Sequence, residues 1–260
     1  MTFDDLSQWL IDFVANYPNK YNQIAIWREP IMSCASADDR FQRLKEITVP
    51  DHALPQDLLT DAKTVVVWFI PFKGHIQMDN TGGKRPSLSW GRAYPSTNDM
   101  IDRIGNAMKI MINDTGGKAA LTPATHNFDK ERLVSRWSHK HLGHLIGLGR
   151  YGTNCQFITP AGCSGRMGSM VTDLDLGNHS LVTADELCLI KAGKKCGKCI
   201  KACPIDALSE DGMDRAACYA RLRENYHLLM EPDGLPGTTD VCAKCQVGMP
   251  CSFKSPLGIG

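Results

Sequence analysis

The sequence contains no long hydrophobic run, and its charges nearly cancel. No apolar stretch reaches the roughly 20 residues that a helix needs to cross a bilayer. The formal net charge is +1 over 260 residues, which gives no overall attraction to nucleic acid or to an anionic membrane. No hydrophobic leader or twin-arginine segment follows Met1. With the many thiols described below, these absences predict a cytoplasmic protein with no membrane partner.

The sequence also lacks internal repeats, low-complexity segments and a dinucleotide-binding fingerprint. Its most glycine-rich turn carries Gly147, Gly149 and Gly152, a spacing that does not fit Gly-x-Gly-x-x-Gly between a strand and a helix. Hydrophobic residues make up 43% of the chain, which is enough to form a sizeable core. The length suits one large domain, or a domain with a small second one.

Cysteine, by contrast, is abundant and unevenly distributed. Of 11 cysteines, eight lie between Cys188 and Cys251. Their spacing is Cys-x7-Cys-x2-Cys-x3-Cys-Pro, then a single cysteine, then Cys-x2-Cys-x5-Cys. The Cys-x2-Cys-x3-Cys-Pro run is the ferredoxin pattern, in which the cysteine before proline binds a second cluster. Eight thiolates are the number that two 4Fe–4S clusters require.

The same rule divides the eight cysteines between two clusters. The usual first cysteine is replaced by Gly193, so Cys188 is the nearest substitute. We assign the first cluster to Cys188, Cys196, Cys199 and Cys251, and the second to Cys203, Cys218, Cys242 and Cys245. Cys218 lies inside a predicted helix, Asp214 to Leu229, where a lone cysteine is often only a small buried hydrophobe.

Two other interpretations of these cysteines are open. Zinc accepts paired Cys-x2-Cys motifs, which occur twice, but the Cys-Pro step and the additional Cys218 fit zinc poorly. A disulfide framework belongs to secreted proteins, and no signal peptide is visible. Cys34, Cys155 and Cys163 lie outside the cluster spacing, and we predict that they are structural.

The residues before 181 alternate between strand and helix patterns. This alternation predicts an α/β layer in residues 1–180, with a small ferredoxin-like domain in residues 181–260. Predicted helices are 2–17, with Thr2 and Asp5 as a capping box, 96–114, with Ser96 or Thr97 as its cap, and 130–145. Predicted strands are 64–70, 119–122 and a hairpin of 155–159 with 167–172; residues 74–94 are predicted to be a loop.

Several segments together resemble the epoxyqueuosine reductase and reductive dehalogenase superfamily. The segments are the strand at 64–67 with Pro71-Phe72, Gly91-Arg92-Ala93-Tyr94, the Gly-Leu-Gly-x2-Gly-x-Asn motif of 147–154, the stretch 168–174, and the ferredoxin cysteines. The resemblance implies a nitroreductase-like α/β domain that binds cobalamin, with two 4Fe–4S clusters supplying its electrons.

The resemblance and the turn together give a set of candidate site residues. Glycine lets the backbone approach a flat cofactor closely, since a Cβ would push the cofactor away. We expect the cofactor to be lined by Arg92, Tyr94, Gly147, Gly149, Gly152 and Asn154. Ser138 and His139 are the candidate catalytic residues, and His139 is the candidate proton donor because histidine titrates near neutral pH. The alternative is that His139 only packs against the turn.

Three functions are compatible with these patterns. The leading hypothesis is an iron–sulfur reductase, cobalamin-linked, that reduces an organic substrate with electrons from a donor such as ferredoxin or flavodoxin. A rival is an electron-transfer protein that reduces a partner such as a corrinoid protein. A third hypothesis is a protein with the same α/β layer that binds flavin as its cofactor. A tRNA substrate is less favoured, because the net charge is close to zero.

Overall fold

The computed structural model describes residues 1–123 and 126–260. The α-helices are α1 (Phe3–Lys20), α2 (Leu44–Ile47), α3 (Pro55–Leu58), α4 (Gly74–Asp79), α5 (Leu88–Asp114), α6 (His139–Leu145), α7 (Lys198–Lys201) and α8 (Arg215–Asn225). The strands are β1 (Ile31–Ser36), β2 (Thr64–Pro71), β3 (Ala119–Leu121), β4 (Phe128–Asp129), β5 (Val134–Ser135), β6 (Arg150–Tyr151), β7 (Phe157–Ile158) and β8 (Gly165–Thr172). A 3-10 helix spans Asp39–Arg43, and a π-helical turn, Tyr226–Met230, follows α8. Within the described ranges, none of the helices combines the length and apolar composition needed to cross a membrane.

The chain forms two compact units, each assembled from three segments. The first contains Met1–Ile70, Asn98–Leu148 and Arg166–Thr183; the second contains Pro71–Thr97, Gly149–Gly165 and Ala184–Gly260. The last boundary lies close to the predicted division at residue 180. Two earlier segments of the chain also belong to the second unit, together with all eight cysteines assigned to clusters.

The first unit contains a four-stranded sheet in the order β1-β2-β8-β3. β1 and β3 lie at its edges, and each pairs antiparallel with its neighbour, as in Cys34 opposite Val66 and Ala120 opposite Val171. The predicted strand at 64–70 is confirmed, and every residue of β2 is buried, as its continuous apolar run requires. Gly168 of β8 makes room for Trp68, since a Cβ at that position would lie 2.5 Å from the indole.

Two helices of this unit confirm the sequence predictions in most respects. Helix α1 begins with the predicted capping box, in which Thr2 Oγ1 accepts from Asp5 N (3.2 Å) and Asp5 Oδ2 accepts from Thr2 N (2.7 Å). The predicted inner stripe of α5 is buried at Met100, Ile101, Ile104, Met108 and Ile112. Mixed α/β structure in this part of the chain is therefore confirmed.

The start of α5 was predicted wrongly. The predicted loop of residues 74–94 contains α4 and the first turns of α5, and Pro95 lies inside the helix rather than before it. Proline removes one backbone donor from the helix. Here Ser96 Oγ donates to the carbonyl of Arg92 (3.0 Å), and Thr97 Oγ1 to that of Ala93 (2.6 Å). These hydroxyl groups hydrogen-bond carbonyls in the turn that proline interrupts, so the helix continues through it.

The predicted helix at 130–145 was too long. Only His139–Leu145 is helical, and β4 pairs with β5 as a hairpin immediately before it. The Asp129 carboxylate accepts from the backbone N–H groups of Glu131 and Arg132, both at 2.9 Å. A side-chain turn of this kind competes with helix formation. Leu133 also has a positive φ of 53°, which an α-helix does not contain.

The predicted hairpin of 155–159 with 167–172 was also wrong. β7 pairs with β6, with Tyr151 opposite Phe157, and β8 belongs to the four-stranded sheet. The glycine between the two predicted strands, Gly162, forms a tight turn with Thr159 instead, with hydrogen bonds in both directions. The pattern gave two extended segments but did not indicate their partners.

Candidate metal centre

Four of the cysteines line one cavity in the second unit. Cys188, Cys196, Cys199 and Cys251 line this cavity, which is partly open to solvent, together with Gly152, Thr153, Asn154 and apolar side chains including Leu189, Ile190 and Met249. These four are the cysteines that the spacing assigns to the first cluster. The structure therefore brings Cys251 beside three cysteines that lie more than 50 residues earlier in the chain.

Local turns bring the first three of these thiols together. The seven residues between Cys188 and Cys196 fold back on themselves, with hydrogen bonds from Ala192 N to Cys188 O (2.9 Å) and from Lys194 N to Leu189 O (2.7 Å). Gly197 has a φ of +80° and precedes the short helix α7, which carries Cys199. Glycine adopts this left-handed conformation without a steric penalty, so the chain turns sharply between Cys196 and Cys199.

Cys251 is held by the segment from Gly162 to Ser164. Cys163 N donates to Cys251 O (2.8 Å), and Ser164 N donates to Ser252 O (3.2 Å). The carbonyl of Gln246 accepts from both Ser164 Oγ (3.2 Å) and Ser252 Oγ (2.7 Å). These bonds tie residues 162–164 to the segment that carries Cys251. We call residues 162–164 the Cys251 seat.

Gly162 is the tightest position of this seat. Its φ is +88°, and a Cβ there would overlap the carbonyl oxygen of Ser252 and lie 2.6 Å from the carbonyl carbon of Phe253. Backbone atoms cannot rotate away as a side chain can. Any larger residue must therefore displace the segment that follows Cys251.

The other four cysteines, Cys203, Cys218, Cys242 and Cys245, form a second group. Burial, followed by the charges of Cys242, Cys203 and Cys155, raises the pKa of Cys218 to about 11. Burial, followed mainly by Cys242, Cys218 and Cys203, raises the pKa of Cys245 to about 12. Charges act on a thiol only over short distances, so the members of the group are neighbours. Cys218 lies in α8, as predicted.

The charges that act on the cysteines separate the two groups in part, since Cys199 also acts on Cys245. Burial raises the pKa of Cys199 to about 11, and the charges that add to this effect are those of Cys251, Cys188 and Cys196. Cys203 lies only four residues beyond Cys199, but it contributes to the field at the second group. Buried thiols release protons when they bind a metal, so binding at either group is expected to become stronger as the pH rises.

Several donors surround the cysteine sulfurs. Thr153 Oγ1 lies 3.5 Å from Cys188 Sγ, and Ala207 N donates to Cys203 Sγ (3.2 Å). The Cys163 thiol lies 4.0 Å from Cys251 Sγ and donates toward it, which lowers the pKa of Cys251. Hydrogen bonds to cluster sulfurs are one of the means by which proteins set reduction potentials.

The set of donors bears on the type of metal. Among residues 1–123 and 126–260, no three His, Cys, Asp or Glu side chains are close enough to hold a single ion. A 4Fe–4S cluster makes a different demand, because each of its cysteines binds a different iron and the sulfurs surround a cavity. The four-cysteine cavity provides the donor set that such a cluster uses.

Part of the turn at residues 147–154, which was predicted to line the cofactor, lies beside the cysteine groups. A Cβ on Gly149 would overlap the carbonyl oxygen of Ile158, so this glycine allows β6 and β7 to approach each other. Gly152 and Asn154 line the four-cysteine cavity. Asn154 Nδ2 also donates to Cys245 O (2.7 Å), so one side chain contacts both cysteine groups. The sequence indicated a special turn here, but not what fills the space beside its glycines.

The remaining predicted cofactor residues have protein partners. Gly147 belongs to the first unit, where a Cβ would lie 2.8 Å from the Ser180 side chain. In the second unit, the guanidinium of Arg92 forms a salt bridge with Asp233 (2.7 Å), and Tyr94 lies two residues further along α5. A cofactor role for these residues stays a prediction.

Solved structures of similar fold exist, although no protein-family model and no curated protein matches the sequence. An epoxyqueuosine reductase bound to an epoxyqueuosine-modified tRNA stem loop matches with a TM-score of 0.55 at 14% identity, over 98% of this chain and 68% of that one. The epoxyqueuosine reductase from Streptococcus thermophilus matches at 0.53 and 16% identity, over 95% and 68%. The catabolic reductive dehalogenase NpRdhA, in complex with 3-bromo-4-hydroxybenzoic acid, matches at 0.54 and 15% identity, over 86% and 30%.

The chain has the fold of the epoxyqueuosine reductases. The resemblance predicted from the sequence is confirmed at this level, and the likeness extends over nearly the whole chain. The match to NpRdhA spans 30% of that protein, so the reductive dehalogenase carries additional structure beyond the shared fold.

The candidate catalytic residues lie in the first unit and are engaged with protein groups. Ser138 Oγ lies 2.8 Å from His141 Nδ1, and the Ser138 amide donates to His52 Nε2 (3.0 Å). His139 is buried and contacts Ser169 Oγ through Nδ1 (2.8 Å) and the carbonyl of Pro123 through Nε2 (3.2 Å). Because a carbonyl only accepts, Nε2 carries the proton and Nδ1 accepts from Ser169.

A third group completes this network. Trp137 Nε1 donates to Ser169 Oγ (2.9 Å), which leaves the hydroxyl proton for His139 Nδ1. When His139 is neutral, each polar side-chain atom of this network has a hydrogen-bond partner. Burial lowers the pKa of His139 to about 4. The network fits the packing alternative more directly than proton donation, which stays a prediction.

This network predicts a pH-dependent stability. The His139 pKa is about 4 in the folded chain and about 6.5 when unfolded, so the unfolded state binds more protons between these values. Stability is therefore retained above pH 6.5 and lost as the pH falls, by about 2 kcal/mol at pH 5. Denaturant unfolding at pH 7, 6 and 5 should show a smaller pH slope in His139→Gln than in the wild type. Equal slopes would show that folding does not lower the pKa of His139.

Proposed function

We propose that this chain is an iron–sulfur reductase with two 4Fe–4S clusters. The first is bound by Cys188, Cys196, Cys199 and Cys251, and the second by Cys203, Cys218, Cys242 and Cys245. The observation that carries the proposal is the cavity lined by all four cysteines of the first set. The fold shared with the epoxyqueuosine reductases supports a reductase over the rival hypothesis of a simple electron carrier.

The clusters would supply one-electron transfer, at potentials set by hydrogen bonding and exposure. The protein's own residues hold and shield them. Leu189, Ile190 and Met249 give the first cavity apolar walls, which limit the access of water to the sulfurs. Asn154 lines the first cavity and donates to the carbonyl of Cys245 in the second group, so it links the surroundings of the two groups.

Cobalamin remains the organic cofactor that the resemblance implies, and flavin is supported by no observation. The glycines expected to accommodate cobalamin, Gly147 and Gly149, have protein atoms in the space that a Cβ would occupy. Packing against these protein atoms explains why both positions are glycine, so the two glycines do not form a binding surface for a macrocycle. We therefore derive no step through cobalamin, and a cofactor role for Arg92 and Tyr94 stays a prediction.

The substrate is an organic molecule in this proposal, and the electrons come from an external carrier protein such as ferredoxin or flavodoxin. One neighbour was solved with a modified tRNA stem loop and another with a halogenated hydroxybenzoic acid. The net charge of +1 favours a small molecule or a corrinoid protein over tRNA.

Anaerobic titration tests the reductase proposal. Purified, cluster-loaded protein is titrated with cobalamin and separately with flavin mononucleotide, and optical spectra are recorded before and after reduction. A saturable change with cobalamin supports the cobalamin-linked reductase. A saturable change with flavin alone would favour the third hypothesis, and no change with either would favour the electron-transfer protein.

Cys163 gives a more specific prediction at the first cluster. Cys163→Ala should leave the iron content unchanged and make the potential of this cluster more negative, because the reduced cluster loses a hydrogen bond. A bond of about 1 kcal/mol corresponds to about 40 mV for one electron. Cys163→Ser keeps a donor and should shift the potential less. Potentiometric titration followed by electron paramagnetic resonance (EPR) measures both variants.

Two outcomes would contradict this role. Loss of half the iron in Cys163→Ala would make Cys163 a ligand, against the assignment of Cys251. An unchanged potential in both variants would show that the thiol does not hydrogen-bond to the cluster, even though Cys163 Sγ lies 4.0 Å from Cys251 Sγ.

A further inference from the structure

One cluster cysteine differs from all the others in its exposure. Of the eleven cysteines, all of which the structure describes, Cys196 alone is exposed. Its partners in the four-cysteine cavity are buried at Cys199 and half-buried at Cys188 and Cys251. An electron entering the first cluster from outside therefore meets the least protein at the Cys196 edge.

The same edge is strongly basic. Between residues 187 and 205 there are five lysines, Lys191, Lys194, Lys195, Lys198 and Lys201, and no acidic residue. All five are exposed. Lys191 forms a salt bridge with Glu186 (3.2 Å). The whole chain has a net charge of only +1, so this concentration of positive charge is local. We call these lysines with Cys196 the basic edge.

We propose that the basic edge is the docking surface for an acidic one-electron carrier protein. The inference rests on the proposed function, because it requires a cluster behind Cys196. One electron passes from the reduced carrier to the oxidised first cluster, and no bond is formed or broken in that step. A positive surface around an exposed redox centre attracts a negatively charged partner and raises its association rate by roughly 10- to 1,000-fold.

A nucleic acid is the competing partner for a basic surface. It would use the lysines but would gain nothing from an exposed cluster ligand at their centre. The pairing of charge with an exposed cysteine is what an electron carrier requires, since the carrier must approach the cluster closely. Small contact areas are also usual for redox encounters, which suits a patch built on a single short segment.

Charge reversal tests the inference in cluster-loaded protein. In the variant Lys194→Glu, Lys195→Glu, Lys198→Glu, reduction by a reduced acidic 2Fe–2S ferredoxin should slow at least about tenfold at low salt. The wild-type rate should fall steeply with added salt, and the variant rate should not. Reduced methyl viologen, a small cation, should reduce the variant at least as fast as the wild type. A matched control, Lys45→Glu with Lys109→Glu, reverses exposed lysines elsewhere.

The outcomes separate the inference from the proposed function. Iron content and EPR signals of the wild type test the clusters, and a chain that binds no iron overturns both proposals. With clusters present, equal ferredoxin rates in the wild type and the basic-edge variant overturn the inference alone. If the variant is reduced by ferredoxin as fast as the wild type but no longer binds an RNA stem loop, the surface is instead a nucleic-acid site. Equal slowing of the variant's reduction by ferredoxin and by methyl viologen would show that the lysines act on the cluster rather than on docking, which contradicts the inference.

Discussion

Replacing Cys199 by alanine is expected to remove about half of the iron from the chain. Cys199 is buried and lines the four-cysteine cavity, so its loss removes one ligand from the first cluster. The second group retains all four of its cysteines and should keep its cluster. Iron and acid-labile sulfide, measured after anaerobic purification, should each fall from about eight to about four per chain.

Double variants test how the ligands are divided between the clusters. Cys199→Ala with Cys245→Ala should lose both clusters, because these cysteines belong to different groups. Cys203→Ala with Cys245→Ala should lose no more iron than Cys245→Ala alone, because both belong to the second group. Loss of both clusters in Cys203→Ala with Cys245→Ala would show that Cys203 binds the first cluster, as its position four residues after Cys199 suggests.

Cys34→Ala is the matched control for these substitutions. Cys34 is buried in the first unit, and its thiol donates toward the carbonyls of Leu176 (3.7 Å) and Gly177 (3.4 Å). Burial raises the pKa of Cys34 to about 12, which keeps it a thiol. Its loss should leave both clusters intact. Loss of iron from this variant would mean that iron content reports overall folding rather than ligation.

Replacing Gly162 by alanine is expected to remove the first cluster without touching any of its ligands. The added Cβ would overlap the Ser252 carbonyl oxygen and displace the chain beside Cys251. Because Cys251 is the ligand furthest along the chain, it depends on this seat for its position. The first cluster should be lost and the second retained, giving about half of the wild-type iron.

Gly234→Ala separates this overlap from the cost of the backbone conformation. Gly234 also has a positive φ, of 74°, but no atom lies within 4 Å of the position that a Cβ would occupy. Both variants should lose some stability from the strained conformation, measured by thermal unfolding. Only Gly162→Ala should lose iron. Full iron in Gly162→Ala would show that Cys251 does not depend on residues 162–164.

Ligand spacing is a local feature, and it predicts the two cysteine groups directly. The rule that the cysteine before proline serves the other cluster separates Cys203 from Cys199; in the structure Cys251, Cys188 and Cys196 act on Cys199, whereas Cys203 acts on Cys218. Helix α1 was equally predictable, since its capping box and apolar stripe are both local features. In these cases the information lies within a few residues.

The parts that could not be predicted depend on residues far apart in the chain. Spacing alone gave no reason to pair Cys163 with Cys251 or Thr153 with Cys188, because each pair joins different segments. Gly149 suggested room for a cofactor, whereas the space beside it is filled by Ile158. A proline that usually ends a helix lies inside α5, where neighbouring hydroxyl groups bond to nearby carbonyls.

The metal content of anaerobically purified protein tests the central claim most directly. The account predicts about eight irons and eight acid-labile sulfides per chain, with EPR signals from two interacting 4Fe–4S clusters after reduction. Zinc in place of iron, or about four irons per wild-type chain, would contradict the assignment of all eight cysteines to two clusters.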